Sequence, residues 1–375
     1  MIYLDYSANT PAEPAVLEVF CKTEQAFMGN PNSAHCAGRQ ARMEMERVTE
    51  SIARLLGVRP EELIYTSGAS ESNNLAIKGI ARSARHLGRH IISTSLEHPS
   101  VSGCLTVLQE QGYEIDLVDI RRDGKIDLEH LCSLLRKDTV LVAVCAVDSE
   151  LGVVQPVREI TELLQDWPNC RLHVDATQAV GKLPLFFGGV DSMSFSPHKF
   201  YGLNGSGILF KRNGLVIEPL IHGGTSTTIY RSGTPALAHA VALETALRSA
   251  LEQQEERIQA VRVKNARLRQ ALAKYPKVRI NSPEDAIPHI LNLSVQGVKA
   301  PVFQRELDRH GVCVSVKSAC SVEGTPSRAV FAVSRDRKNA LSSWRISLSH
   351  LTADAELDEF LSVFEQCYQF LTKPQ

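Results

Sequence analysis

From about residue 40 to residue 210, short β-rich runs alternate with helix-like stretches, and this alternation constrains the fold more than any other feature of the chain. The runs are LIYT from 63, HIIST from 90, EIDLV from 114, TVLVAVC from 139, RLHVD from 171 and SMSFS from 192. Such an order predicts an α/β fold, a mostly parallel sheet covered by helices. The stretch from Glu71 to His86 follows the small residues Ser67, Gly68, Ala69 and Ser70 and opens on an acid, as a helix start does. A phosphate fits such a start. From Pro235 to about Tyr275 neither glycine nor proline interrupts, and Leu237, Val241, Ala242 and Ala246 fall on one face, which predicts one helix or two. The remainder returns to β-like runs (HILNLSV, VCVSV, WRISL) and ends in a predicted helix from Asp354, a compact α+β unit.

A chain of 375 residues with 43% hydrophobic content can bury one large core and a smaller second one, so two domains are expected. Its 41 basic and 42 acidic side chains leave a formal charge of −1, which provides no field for nucleic acid or an anionic membrane. The start MIYLDYSANT has no basic region before a long apolar run, and no segment approaches the roughly 18 apolar residues of a membrane span. A cytoplasmic small-molecule enzyme is expected. The nine cysteines are scattered and never spaced C-x-x-C, against a disulfide framework or a metal site.

Three segments carry candidate chemistry. In SMSFSPHKFYGLNGSGILF, Lys199 follows a predicted strand, behind Ser196 and His198 and ahead of a glycine-rich turn where backbone can approach a bulky ligand. A lysine partly desolvated there suits a Schiff base with a carbonyl cofactor such as pyridoxal 5'-phosphate (PLP). A solvated lysine flanking a strand is the plain alternative. In HVDATQAVGK, Asp175 ends a β run with Gln178 close behind. A carboxylate there can keep a pyridine ring protonated and electron-accepting, or simply cap a following helix. In YTSGASESNN, backbone amides and the Ser70 hydroxyl at a helix start offer a phosphate cradle, or form an ordinary strand-to-helix turn.

Taken in order, these segments resemble the cysteine desulfurases, of the class V aminotransferase group of fold-type-I PLP enzymes. The resemblance runs from YLDYSANTPAEP through GNPNSAHCAGRQAR, TSGASESNNLAIKG, LEHPSV, GVVQPV, HVDATQAVGKLP and SPHKFYG to RSGT, KSAC and WRISLS. It implies a large PLP-binding domain over 13–255, with a mostly parallel seven-stranded sheet between helices. A smaller α+β domain would comprise 1–12 and 256–375 and carry the catalytic cysteine. Lys199 would hold the cofactor and move the substrate α-proton, and His98 would stack on the ring and assist proton transfer. Asp175 would hold the pyridine nitrogen and Gln178, with Ser149, the phenolic oxygen. Ala69, Ser70, Ser196 and His198 would hold the phosphate, with Thr234 reaching in from a second subunit of a homodimer. Arg345 would grip the substrate carboxylate; otherwise it reads as a structural ion pair. Cys320 would attack the sulfur of L-cysteine and keep it as a persulfide, leaving alanine.

Departures from the family cluster near the reacting end. VDSELG puts Ser149 where an asparagine is usual, and GGTSTTIYRSGT lacks a charged pair. SVKSAC has Val316 and Lys317 in place of serine and glycine, and SLSH at 347–350 replaces S-L-G-R. Lys317 would either favour the Cys320 thiolate or restrict its loop. The preferred reading is a cysteine desulfurase passing sulfur to a protein acceptor, a scaffold or sulfurtransferase, in iron–sulfur cluster, thiamine or tRNA-thiolation pathways. A divergent PLP lyase or aminotransferase and a non-catalytic interaction protein are the alternatives.

Overall fold

A computed structural model describes residues 1–317 and 325–373. Cys320 therefore lies outside the described residues.

All six β-rich runs form strands of one sheet, joined by a seventh strand, Gly207–Lys211, that the alternation did not single out. Across the sheet the order is Leu63–Thr66, Gly207–Lys211, Ser192–Phe195, Arg171–Asp175, Thr139–Cys145, His90–Thr94 and Glu114–Val118. The last five pair in parallel, and Gly207–Lys211 runs antiparallel to both of its neighbours. The central run TVLVAVC is buried along its whole length, which is why it shows no alternation of polar and apolar residues. At the edge, Glu114–Val118 is largely open to solvent.

Helices cover both faces. Cys36–Leu56 and Leu237–Glu252 pack on one side through Met45, Val48, Ile52, Val241, Ala246 and Leu247. Ala69–Ser83 and Pro99–Glu110 pack through Leu75, Ile80, Val101 and Leu105 around Ile91, Val140 and Leu141 of the sheet. The long stretch after Pro235 is two helices, Leu237–Glu252 and Gln254–Leu272, broken at Gln253.

A second sheet is antiparallel, with Ile290–Val295 between Ser343–Ser347 and Val278–Ile280. Its core holds Trp344, Phe303, Phe360 and Phe364 together with Leu268 and Leu272. Trp344 stacks on Phe303 with ring centroids 5.3 Å apart. The extreme N-terminus belongs to this core: Ile2–Tyr3 pairs in parallel with Val312–Cys313, and Leu4 is wholly buried. The chain then returns along Ser7–Thr10 to the large sheet, where the Thr10 amide donates to the His198 carbonyl at 2.9 Å. Among the described residues, no helix is long and apolar enough to cross a membrane.

Candidate active site

The parallel strands end at one edge of the large sheet, the usual place for a ligand crevice in an open α/β sheet. A cavity of about 360 Å³ lies there, a volume suited to a small cofactor. Its walls include Ala69, Ser70, His98, Ser149, Asp175, Gln178, Ser196, His198, Lys199 and Arg345. Ten positions proposed from sequence thus meet at one cavity. Thr234, expected to act across a subunit boundary, is exposed and does not line this cavity.

Lys199 closes a single 3₁₀ turn, Pro197–Lys199, after the strand Ser192–Phe195. Its Nζ donates to the carbonyls of Ser7 at 2.8 Å and Ala8 at 2.6 Å. Burial, with Lys199 and Lys182 nearby, pushes the His198 imidazole down to about 4, so its ring is neutral. Ser196 Oγ donates to the Ser206 carbonyl at 2.9 Å.

The phosphate-cradle segment is a tight strand-to-helix passage. Gly68 caps the helix Ala69–Ser83 with φ +154°, a conformation that a side chain disfavours. A Cβ on Gly207 would lie 2.6 Å from the Gly68 backbone, so the strand Gly207–Lys211 and the cradle meet backbone to backbone. Glu71, in the first helical turn, accepts from the Ser67 amide at 2.7 Å and from Arg231 Nε at 2.9 Å. Burial alone would raise its carboxyl, but these donors outweigh it and hold it below the usual range.

Asp175 ends its strand without capping a helix, because only turns follow it. Its Oδ1 accepts from the Thr177 amide at 3.0 Å and its Oδ2 from Asn73 Nδ2 at 2.8 Å. Gln178 donates to the Ser7 carbonyl at 2.9 Å and accepts from Lys182 at 2.6 Å. Burial, then Lys199 and Arg345, push that lysine down to about 7. His98 does two things at once: it caps the helix Pro99–Glu110, with Nδ1 accepting from the Ser100 amide at 3.1 Å, and it lines the cavity. Burial lowers its pKa, so the ring is mostly neutral at pH 7. Behind it, Glu97 accepts from Thr94 Oγ1 at 2.7 Å and from the Cys145 amide at 3.0 Å. Burial pushes its carboxyl up to about 8.

Arg345 is both an ion-pair partner and a cavity residue. Only 2% exposed, it donates from Nη2 to Asp5 Oδ1 at 2.9 Å and from Nη1 to the Ser149 carbonyl at 2.7 Å. Its buried Nε has no partner among the described residues. Ser315 Oγ donates to the other Asp5 oxygen at 2.7 Å. Sequence reasoning missed Asp5, Ser7, Ala8, Asn73 and Ser100 as individual site residues. Asp5, Ser7, Ala8 and Asn73 lie inside the quoted YLDYSANTPAEP and TSGASESNN segments, and Ser100 follows Pro99 of LEHPSV, but nothing local marks them out. Beside the cysteine segment, Lys317 donates to the Thr325 carbonyl at 2.9 Å and hydroxyl at 2.7 Å, spanning the two ends of 318–324.

The donor set fits PLP. A helix N-terminus with a hydroxyl matches a phosphate dianion, a carboxylate held by two donors matches a pyridinium, and a lysine lies in the same cavity.

The class-V aminotransferase family model matches residues 2–360. A NifS/IcsS protein homolog of Lactobacillus delbrueckii subsp. bulgaricus is 37% identical, over 100% of this chain and 98% of its own length. The cysteine desulfurase IscS of Dictyoglomus turgidum is 34% identical, over 99% and 95%. Among solved structures, a NifS-like protein superposes with a TM-score of 0.92 at 33% identity, covering 99% of this chain and 100% of its own. The fold is therefore the fold type I of PLP enzymes, and the chain belongs to the class-V aminotransferase family, within the group of the cysteine desulfurases.

Proposed function

We propose that this protein is a PLP-dependent cysteine desulfurase that converts L-cysteine to L-alanine and passes the sulfur, through a persulfide on Cys320, to a protein acceptor. One observation carries the reading: Lys199, Asp175, Gln178, His98 and the helix start at Ala69 face a single cavity, with Arg345 on its wall. When bound, PLP supplies an electron-accepting ring that eases loss of the substrate α-proton and of the Cβ substituent.

The chain's own residues do the rest. Lys199 carries the cofactor and moves the α-proton at Nζ. Asp175 holds the ring nitrogen, Gln178 and Ser149 the phenolic oxygen, and Ala69, Ser70, Ser196 and His198 the phosphate. A neutral His198 serves as a hydrogen-bond donor there without adding a cation. Arg345 takes the substrate carboxylate, a role favoured by its place on the cavity wall and by the planar, bidentate geometry of its guanidinium. His98, neutral and desolvated, covers the ring and assists proton transfer. The Cys320 thiolate bonds to the substrate sulfur as the Cβ–S bond breaks, giving a persulfide and, after reprotonation, alanine. Thr234 completes the phosphate site of a second subunit in a homodimer. We also read residues 13–255 as the cofactor-binding domain, 1–12 and 256–375 as the small one, and the protein as cytoplasmic.

The test incubates the PLP-loaded protein with L-cysteine and follows alanine and, by intact mass, one added sulfur. Both are expected, with the sulfur absent from Cys320→Ala and the visible absorbance band absent from Lys199→Ala. Sulfur and alanine persisting in Cys320→Ala would show that another group is the nucleophile. PLP binding without alanine or sulfide formation would instead favour a divergent lyase or aminotransferase.

A further inference from the structure

Two of the groups assigned above to the cofactor ring, Asp175 and His98, are tied together by one wholly buried side chain that none of those roles uses. Asn73, on the helix Ala69–Ser83, is 0% exposed. Its Nδ2 donates to Asp175 Oδ2 at 2.8 Å and to Ser100 Oγ at 2.9 Å. Its Oδ1 accepts from His173 Nε2 at 2.9 Å and from Ser194 Oγ. Both amide hydrogens and both carbonyl lone pairs are thereby used, the full capacity of the group.

The chemistry fixes every orientation in this network. An ionised Asp175 can only accept, so the amide nitrogen must face it and the amide oxygen must face His173. His173 then carries its proton on Nε2, and its Nδ1 accepts from Ser192 Oγ at 2.9 Å. Burial keeps that ring neutral by lowering its proton affinity, which this arrangement requires. On the other arm, Ser100 accepts from Asn73 and so turns its own hydrogen toward His98 Nδ1, 2.8 Å away. The Ser100 amide points at the same nitrogen. With Nδ1 receiving two donors, neutral His98 carries its proton on Nε2.

We propose that Asn73 is a positioning residue of the cofactor site, which holds the Asp175 carboxylate in place and, by orienting the Ser100 hydroxyl toward Nδ1, steadies the orientation of His98. The inference rests on the reading of this cavity as the PLP site. Asn73 touches neither substrate nor cofactor; it acts by letting three neighbouring elements agree on one geometry. Those elements are the helix Ala69–Ser83, the start of Pro99–Glu110 and the end of Arg171–Asp175.

The experiment titrates PLP into apo-protein of the wild type, Asn73→Ala, Asn73→Asp and Ser100→Ala. It records the dissociation constant, the pH midpoint of the visible band and the thermal midpoint of the apo form. A hydrogen bond to a charged group contributes a factor of roughly ten to a hundred. Both Asn73 variants are therefore expected to bind PLP at least about tenfold more weakly and to move the band's pH midpoint. Ser100→Ala, which breaks only the His98 arm, is expected to keep PLP affinity within about threefold and to change the pH profile of alanine formation. Asn73→Asp keeps the side-chain volume and the oxygen facing His173 and Ser194, so it serves if Asn73→Ala does not fold. A folded Asn73 variant with wild-type affinity and midpoint overturns the proposal, as does a lowered thermal midpoint with the band unmoved. Failure of the wild type to bind PLP would instead remove the underlying reading of the cavity.

Discussion

Replacing Asp5 by alanine isolates a long-range buried ion pair at the site. The pair joins residues 340 positions apart, with Arg345 2% and Asp5 18% exposed and 2.9 Å between Nη2 and Oδ1. At an effective dielectric constant near 20, unit charges at that separation attract by roughly 6 kcal/mol. Desolvation of the pair offsets much of this in the intact protein. Removing one partner leaves the other charge buried and uncompensated, at a cost of about 3–5 kcal/mol. The Ser149 carbonyl, 2.7 Å from Nη1, still accepts from the guanidinium, so the expected loss is at the lower end, about 3 kcal/mol. Asp5→Asn keeps an acceptor and loses only the charge, so it should fall between the variant and the wild type. Urea unfolding followed by tryptophan fluorescence measures the loss, with Trp344 wholly buried beside Arg345 as the reporter. Glu50→Ala is the control, since Glu50 and Arg54 are 3.8 Å apart and mostly exposed, and such pairs contribute little. If Asp5→Ala and Glu50→Ala unfold at the same urea concentration, the Asp5–Arg345 pair does not anchor the N-terminal segment to the second sheet.

Glu97 predicts a pH effect. Its carboxyl, pushed up to about 8 by burial, stays protonated in the folded protein while the unfolded chain ionises above its ordinary range. The folded state thus binds more protons between about pH 4.5 and 8, and stability must fall as pH rises through that window. Glu97→Gln should flatten this slope when urea midpoints are compared across the same pH range, and an unchanged slope would assign it to other groups. Gly207→Ala places a Cβ 2.6 Å from the Gly68 backbone. Overpacking at backbone of this kind costs about 1–3 kcal/mol, and because the displaced element is the phosphate cradle, PLP affinity should fall with stability. Calorimetry and a PLP titration check the two losses, and retained affinity in a destabilised protein would separate the glycine contact from the cofactor site.

The large sheet was legible because its strands are short β-rich runs bounded by helix-length segments, and for the inner strands burial on both faces is written into local composition. TVLVAVC reads as an inner strand for that reason. Gly207–Lys211 was less visible, since its reversed direction depends on the turn at Asn204 and Gly205 bringing the chain back beside Ser192–Phe195. Lys199 and Asp175 could be named because one follows and the other ends a recognisable strand, and in parallel strands those ends converge on one edge, whereas His98 was named only through the family resemblance of LEHPSV. Their partners could not. Asn73 sits in a helix whose pattern gives it no special mark, and its value comes from four side chains contributed by distant parts of the chain. Asp5 carries no mark of its role, and the partner of Arg345 could not be named, until the parallel pairing of Ile2–Tyr3 with Val312–Cys313 carries the N-terminus into the second core. Local residue pattern thus determined most strands and helices and the candidate groups Lys199 and Asp175 at strand ends. The hydrogen-bond and ion-pair partners that orient those groups followed from three-dimensional packing, because such contacts depend on distance in space and leave no period in the sequence.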